Sequence, residues 1–419
     1  MFLDESMSTD TQHKTRALWL VGALHAFTHI YHVALLPLYL LMQRDFGFSS
    51  VGQATALVTV LMVTYYLPSY YLGVLADRMS RKKLLGWGLF INAAGFVGLA
   101  LAPNYGWALV AVIVAGIGGS FYHPAATAMI VRMYPNNAGR ALGFIGMGAS
   151  VGFFIGPIYA GWRAGALEAV LGAAAWRRPV LELGLLGIVA AGLFAWFADE
   201  EKTSPVKPVA DAPPQKLFPT GALWACFLAS AFVFCLRDFA GASMGSLGSL
   251  FLQQAHGYSI GLTGVVISCI FLPSAISNPL FGHFSDRGRK RWTTAVLLIA
   301  TVLIAVFPHV PKAWAIPTLL AYGFFFMASY PMVEAMLMES VPDAVRGRVF
   351  GLFITIGGLL GNLSHWIAGD AVKRLGARAA TIEGYFPLYL GLAAFVVISL
   401  LGLVGLHALR KREGMEVTS

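Results

Sequence analysis

Long apolar runs alternate with short polar clusters from one end of this chain to the other. The run at 84–102 contains no charged residue and that at 181–198 only Glu182. Each is close to the roughly 20 apolar residues that a bilayer crossing needs. Followed through, the alternation predicts helical spans near 17–41, 51–76, 84–102, 106–131, 141–161, 180–198, 220–252, 260–283, 293–310, 313–338, 348–370 and 385–408. The expectation is an all-α membrane protein of twelve transmembrane helices. The first run follows a polar leader with Lys14 and Arg16. It is too long for a signal-peptide apolar region and lacks a small-residue cleavage site, so it reads as a retained helix. The pattern breaks once, at 199–219, where Asp199, Glu200 and Glu201 lead into Pro205, Pro208, Pro213 and Pro214. That composition predicts a flexible cytoplasmic linker between two six-helix halves, 1–198 and 220–419.

The two halves carry matching landmarks. Gly73-Val-Leu-Ala-Asp77-Arg78-Met-Ser-Arg81-Lys82-Lys83 returns half a chain later as Gly282-His-Phe-Ser-Asp286-Arg287-Gly-Arg289-Lys290-Arg291. Gly139-Arg140-Ala-Leu-Gly143 returns at nearly the same offset as Gly347-Arg348-Val-Phe-Gly351. Two landmarks in register mark a duplicated unit. A duplicated bundle of membrane helices is the signature of a carrier that rocks two halves about a central site.

Composition narrows the picture further. Hydrophobic residues make up 58% of the chain and charged ones 12%, against about 25% charged in a soluble domain. No hydrophilic domain is left to house enzyme chemistry. The net charge of +9 does not point to nucleic acid, because of where the cations lie. Most fall in loops on the side of the N-terminus, among them Lys14, Arg16, Arg78, Arg81, Lys82 and Lys83. This bias predicts that both termini face the cytoplasm of a bacterial-type inner membrane, with the basic loops against anionic lipid heads. Cys226, Cys235 and Cys269 lie in apolar runs without CxxC spacing and read as buried structural thiols. There is no GxxxxGK[ST] loop, so neither ATP coupling nor any cofactor is expected.

On these residues the chain resembles the major facilitator superfamily. Gly73 through Lys82 matches its loop 2–3 signature, with Ser80 where a Gly is usual, and the second copy falls at loop 8–9. Gly143, Gly152, Gly156, Pro157 and Gly161 reproduce a spacing similar to that of the fifth helix in proton-coupled antiporter branches. The fourth span runs Gly116-Ile-Gly118-Gly119-Ser-Phe121-Tyr122-His123-Pro124, and the first holds His25 with Leu36-Pro37 beyond it. Both resemble the fosmidomycin resistance branch. Two positions depart from pattern: Val112 stands where drug antiporters carry an Arg, and Thr28-His29 replaces that branch's Asn-Asp. The resemblance implies alternating access by a monomer, most simply proton-coupled export of a small amphipathic or anionic compound. It implies a cytoplasmic gate built from Gly73, Asp77, Arg78, Arg81, Arg140, Asp286, Arg287, Glu339 and Arg348.

Ionisable residues within the spans are the candidate binding groups, because a bilayer makes them costly. His25, His29 and His32 are spaced by four and three, which puts them on one helix face. Imidazoles there can exchange protons, bind a polar substrate or ligate a metal. No carboxylate or Cys lies near them in sequence, so no metal site is expected. His123 precedes Pro124, whose missing N–H frees a backbone carbonyl. Arg237 is a candidate for an anionic substrate group, and Asp238 and Glu334 are candidate proton carriers. Neighbours in a helix point about 100° apart, so Arg237 and Asp238 need not pair. His365 and Asp370 are candidates for the opposite gate. Two other readings stand: an importer of an organic anion or a metal chelate, and a membrane sensor or assembly factor without flux.

Overall fold

The computed structural model describes residues 9–135, 137–199 and 216–412, without the side chains of 9–11, Tyr70, Gly73, Val74, Asp77 and Ala344. Most of the linker expected at 199–219 lies outside the described residues. Every regular element among them is helical. In the first half of the chain these are α1 (Thr9–Val33), α2 (Tyr39–Asp45), α3 (Val51–Tyr66), α4 (Ser69–Arg78) and α5 (Arg81–Leu101). They are followed by α6 (Tyr105–Ser120), α7 (Tyr122–Met133), α8 (Ala138–Leu171) and α9 (Arg177–Phe197). Beyond the linker come α10 (Gly221–Gln254), α11 (Ile260–Ser268), α12 (Ser274–Ser285), α13 (Arg289–Val306) and α14 (Ala315–Glu339). The chain closes with α15 (Arg346–Gly361), α16 (Leu363–Leu375), α17 (Ile382–Ser399) and α18 (Leu401–Arg412).

Among the described residues, nine helical segments are long and apolar enough to cross a membrane. One of them, Ala138–Phe197, runs for 60 residues, about 90 Å at the α-helical rise. It doubles back at Gly172, whose φ of 56° is open to glycine without strain. The hairpin is tied by Glu182 of α9, which accepts from Arg163 (2.9 Å) and Tyr159 (2.6 Å) of α8.

Several expected spans arrive as two helices. The runs at 51–76 and 260–283 break where Pro68 and Pro273 stand immediately before α4 and α12. A proline cannot donate to the turn behind it, so the preceding helix ends. Pro124 is tolerated because it falls in the first turn of α7, where an N–H has no helical partner anyway. Side-chain caps define other starts: Ser50, Asn104, Ser259 and Thr381 accept from backbone N–H groups of α3, α6, α11 and α17.

In the first part of the chain the helices pack along glycine-lined seams, α1 on α8 and α5 between α6 and α9. The two parts meet from the middle of the bundle to one end. There Ser249 donates to the Leu36 carbonyl (2.6 Å), Gln253 to that of Pro37 (3.1 Å), and Thr59 to that of Asn362 (2.9 Å). At the opposite end, methyl groups added to Gly139, Gly143, Gly282, Gly347 or Gly351 would meet nothing within 4 Å. Hydrogen bonds between the two parts thus gather at one end, the sealed end, while few contacts hold them together at the other, the open end.

Candidate functional site

The α1 stripe forms as its spacing predicts. His25, His29 and His32 are 7%, 8% and 5% exposed. His25 Nδ1 lies 2.8 Å from the Ile145 carbonyl of α8, and His25 Nε2 is 3.0 Å from His29 Nε2. His29 Nδ1 is in turn 3.1 Å from His32 Nδ1. Around them stand Tyr122, stacked 4.5 Å from the His25 ring, Phe153, 4.2 Å from His29, and Tyr65, edge-on 4.5 Å from His32. His32 Nε2 and the Tyr65 hydroxyl are buried without a partner. His123 joins this cluster from α7, its ring 5.2 Å from His25 and 5.8 Å from His29. Unlike them it is exposed. One ring nitrogen each from His25, His29 and His123 lie within 4.8 Å of one another, an imidazole set that suits zinc, copper or nickel.

A second cluster forms on α10. Arg237 is 2% exposed, and its Nε and Nη2 both donate to Asp238 Oδ1, at 3.0 and 2.8 Å. The two neighbours thus do pair, because the long Arg side chain folds back along the helix. Its guanidinium also lies 4.2 Å over the Tyr330 ring, a cation–π contact. Nη1 is buried with no partner. Asp238 sits against α15, where a methyl on Gly357 would stand 2.6 Å from its free Oδ2. Glu334 is near enough to feel both charges, and Tyr66 is near enough to feel those of Asp238 and Glu334. A buried guanidinium with one carboxylate and one unsatisfied N–H is a ready partner for a second anion.

The expected gate residues divide. Arg81 is buried at the start of α5, Arg78 is exposed at the end of α4, and the side chains of Gly73 and Asp77 lie outside the described residues. Arg140 and Arg348 are exposed at the starts of α8 and α15. In the second copy, Asp286 is 65% exposed and Arg287 is exposed too. The residue that makes the bonds is Arg289, 2.7 Å from Glu339 and 3.3 Å from Asp286. Arg410 stands 3.8 Å from the other Glu339 oxygen. Arg289 is absent from the gate set read from the sequence. The signal was there: the second copy is one residue shorter, which aligns Arg289 with Arg81.

A matching tie at the end of α9 was also missed. Asp199 accepts from Arg16 and His13 of α1. The Arg16 hydrogen bond, seconded by His13, holds the Asp199 carboxyl below its ordinary range.

At the sealed end Ser246 of α10 links Tyr39 (2.8 Å) to His365 Nδ1 (2.6 Å), and His365 Nε2 reaches Asn362 Oδ1 (3.2 Å). Asp370 accepts from Arg374 at 2.9 Å. The α8 motif is split between the two ends. Gly143 faces empty space, Gly152 and Gly156 meet the backbone of α1, Pro157 lies within the helix, and Gly161 meets the Ile260 carbonyl of α11.

A bundle of apolar helices sealed at one end, with buried ionisable clusters in its middle, has the build of a membrane transporter rather than an enzyme. The Major Facilitator Superfamily profile matches residues 18–365, and the chain belongs to that superfamily. It is 24% identical over 384 residues to the fosmidomycin resistance protein of Escherichia coli, covering 87% of each chain. It is 27% identical over 330 residues to the multi-drug resistance efflux pump PmrA of Streptococcus pneumoniae, covering 75% of this chain and 78% of that one. In fold it is similar to a bacterial homologue of the human lysosomal transporter Spinster in an inward-facing, unoccupied conformation. That match has a TM-score of 0.78 and 18% identity, and covers 97% of this chain and 98% of the other.

Proposed function

We propose that the protein is a secondary active transporter that exports a small amphipathic or anionic compound in exchange for protons. In this reading twelve helices cross a bacterial inner membrane in two six-helix halves, both termini are cytoplasmic, and the open end faces the cytoplasm. The observation that carries the reading is the Arg237 cluster. A buried guanidinium with a spare donor, flanked by Asp238 and Glu334, lets an anion and a proton compete for the same charges. An anionic group on Nη1 draws the Arg away from Asp238, and the carboxylate left behind takes a proton. Arg237 thus binds cargo, while Asp238 and Glu334 load and release the proton. The efflux-pump name of one relative and the resistance name of another support the outward direction.

Gly73, Asp77, Arg78 and Arg81, with Asp286, Arg289, Glu339, Arg140 and Arg348, serve the cytoplasmic gate. The test is a flux assay in proteoliposomes with an imposed pH gradient and a panel of amphipathic anions. Accumulation of a compound against its gradient when protons flow the other way supports antiport. Symport of the same compound supports the importer. The nitrogens of His25, His29 and His123 favour one alternative cargo, a divalent transition metal or its chelate. Elemental analysis of the purified protein, with and without those histidines, decides that reading.

A further inference from the structure

Hydrogen-bond donors along the α1 stripe all point the same way. The Ile145 carbonyl only accepts, so the 2.8 Å contact places a proton on His25 Nδ1. In a neutral imidazole this leaves His25 Nε2 as the acceptor. The 3.0 Å contact then places the His29 proton on Nε2. His29 Nδ1 is therefore an acceptor too, and the 3.1 Å contact places the His32 proton on Nδ1. The series ends at His32 Nε2, a bare acceptor, buried and without a partner. One peptide carbonyl determines three tautomers.

We infer that His32, His29 and His25 form a proton wire, set to carry a proton from the sealed end of the bundle toward the open end. The inference rests on the proton-coupled reading above and supplies its route. A proton bonding to His32 Nε2 lets the Nδ1–H bond of that ring break as one forms at His29 Nδ1. The Nε2–H bond of His29 then breaks as one forms at His25 Nε2. His32 and His29 end as the opposite neutral tautomers, and His25 ends as imidazolium. Charge has advanced seven residues, about 10 Å of helix, while no side chain has moved.

Both ends are placed for exchange. His25 lies beside His123, whose ring is exposed. His25 passes one of its two protons to His123, and the series is reset once the His29 and His32 rings turn to present their bare nitrogens toward the incoming proton. At the other end His32 lies against Tyr65, below the seal where Leu36 and His365 meet α10. Opening that seal exposes the bare nitrogen. The groups facing the wire are Tyr122 and His123 of α7, Phe153 of α8, Tyr65 of α3 and, further off, His365 of α16. None carries a fixed charge that would trap the proton midway.

The test uses the full chain in lipid vesicles. Solid-state NMR of ¹⁵N-histidine-labelled protein at neutral pH, assigned with single His→Asn variants, should find Nδ1–H, Nε2–H and Nδ1–H at His25, His29 and His32. Couplings should cross both N–H···N contacts. Any other order, or no coupling, overturns the wire. Proton entry driven by a potassium potential and followed with an entrapped pH dye should slow at least tenfold in His29→Phe. Unchanged entry in both His29→Phe and His32→Phe overturns it as well. Flux of the anion panel, run alongside, separates the two claims. Proton entry that depends on His29 in a protein moving no anion rejects antiport and keeps the wire. Proton-driven flux that survives in both His variants rejects the wire and keeps antiport.

Discussion

A methyl group on Gly152 would stand 2.2 Å from the carbonyl oxygen of Ala26. One turn earlier, a methyl on Gly148 would stand 2.1 Å from the carbonyl of Gly22. The two helices α8 and α1 therefore touch backbone to backbone, as small residues in a membrane seam allow. That closeness sets the histidine cluster, since the Ile145 carbonyl that holds His25 lies on the same face of α8, seven residues from Gly152. The glycine spacing read from the sequence as a helix-packing motif thus also orients a buried imidazole.

Gly152→Val should force α8 off α1. Overpacking of this kind costs about 1–3 kcal/mol, so the midpoint of thermal unfolding in detergent should fall by several degrees and flux should fall with it. Gly143→Ala, which meets no atom within 4 Å, should not lower the midpoint and, through the better helix propensity of Ala, should raise it slightly. Equal loss in both variants would refute the assignment of Gly152 to the seam.

Arg237→Lys keeps the charge but loses the paired bonds to Asp238 and much of the stacking on Tyr330. Flux of an anionic probe should drop at least tenfold, with weaker binding. Asp238→Asn should abolish pH-driven flux yet leave downhill exchange measurable. Uphill flux in both Asp238→Asn and Glu334→Gln would move the carrier role elsewhere.

The second signature copy should act through Arg289 rather than Arg287. Arg289→Ala removes the ties to Glu339 and Asp286, so turnover should fall several-fold with insertion intact. Arg287→Ala should stay within about twofold. The stability cost is expected to be small, below about 1 kcal/mol, because these groups are partly exposed. Flux assays on the two variants side by side check the order.

The tie from Asp199 to Arg16 and His13 should respond to acid. A carboxyl held below its ordinary range stabilises the fold above the unfolded value, roughly 4. That contribution is lost as pH falls through the depressed folded value. Asp199→Asn should therefore unfold slightly earlier than the parent at pH 7, with the gap closing at the acid end. Unfolding midpoints across pH 3–7 test this, and a gap independent of pH would remove the ion pair as its cause.

Much of this architecture was legible in the sequence because bilayers impose one length and one polarity on every crossing. The His25, His29 and His32 stripe followed from spacing alone. The breaks at Pro68 and Pro273 were not anticipated, since an apolar run looks continuous whether or not its helix is. His123 joins the stripe through the packing of α7, which no local pattern encodes. The pairing of Arg237 with Asp238 depended on a rotamer, which spacing does not determine. The link from Tyr39 through Ser246 to His365 spans three distant segments of common residue types, and its members carry no individual signal.

Gly143 and Gly351, the matched corners of the duplicated Gly-Arg motif, both border empty space in this arrangement. A bare corner is an odd place for a residue that weakens the helix holding it. It makes sense as a landing site: when the open end shuts, backbone from the facing half can come down there without a side chain to push aside. Sealed seams such as Gly152 on Ala26 show what such a landing looks like when complete. In the proposed alternating-access cycle, the vacant corners are an imprint of the second shape, carried in advance by the shape seen now.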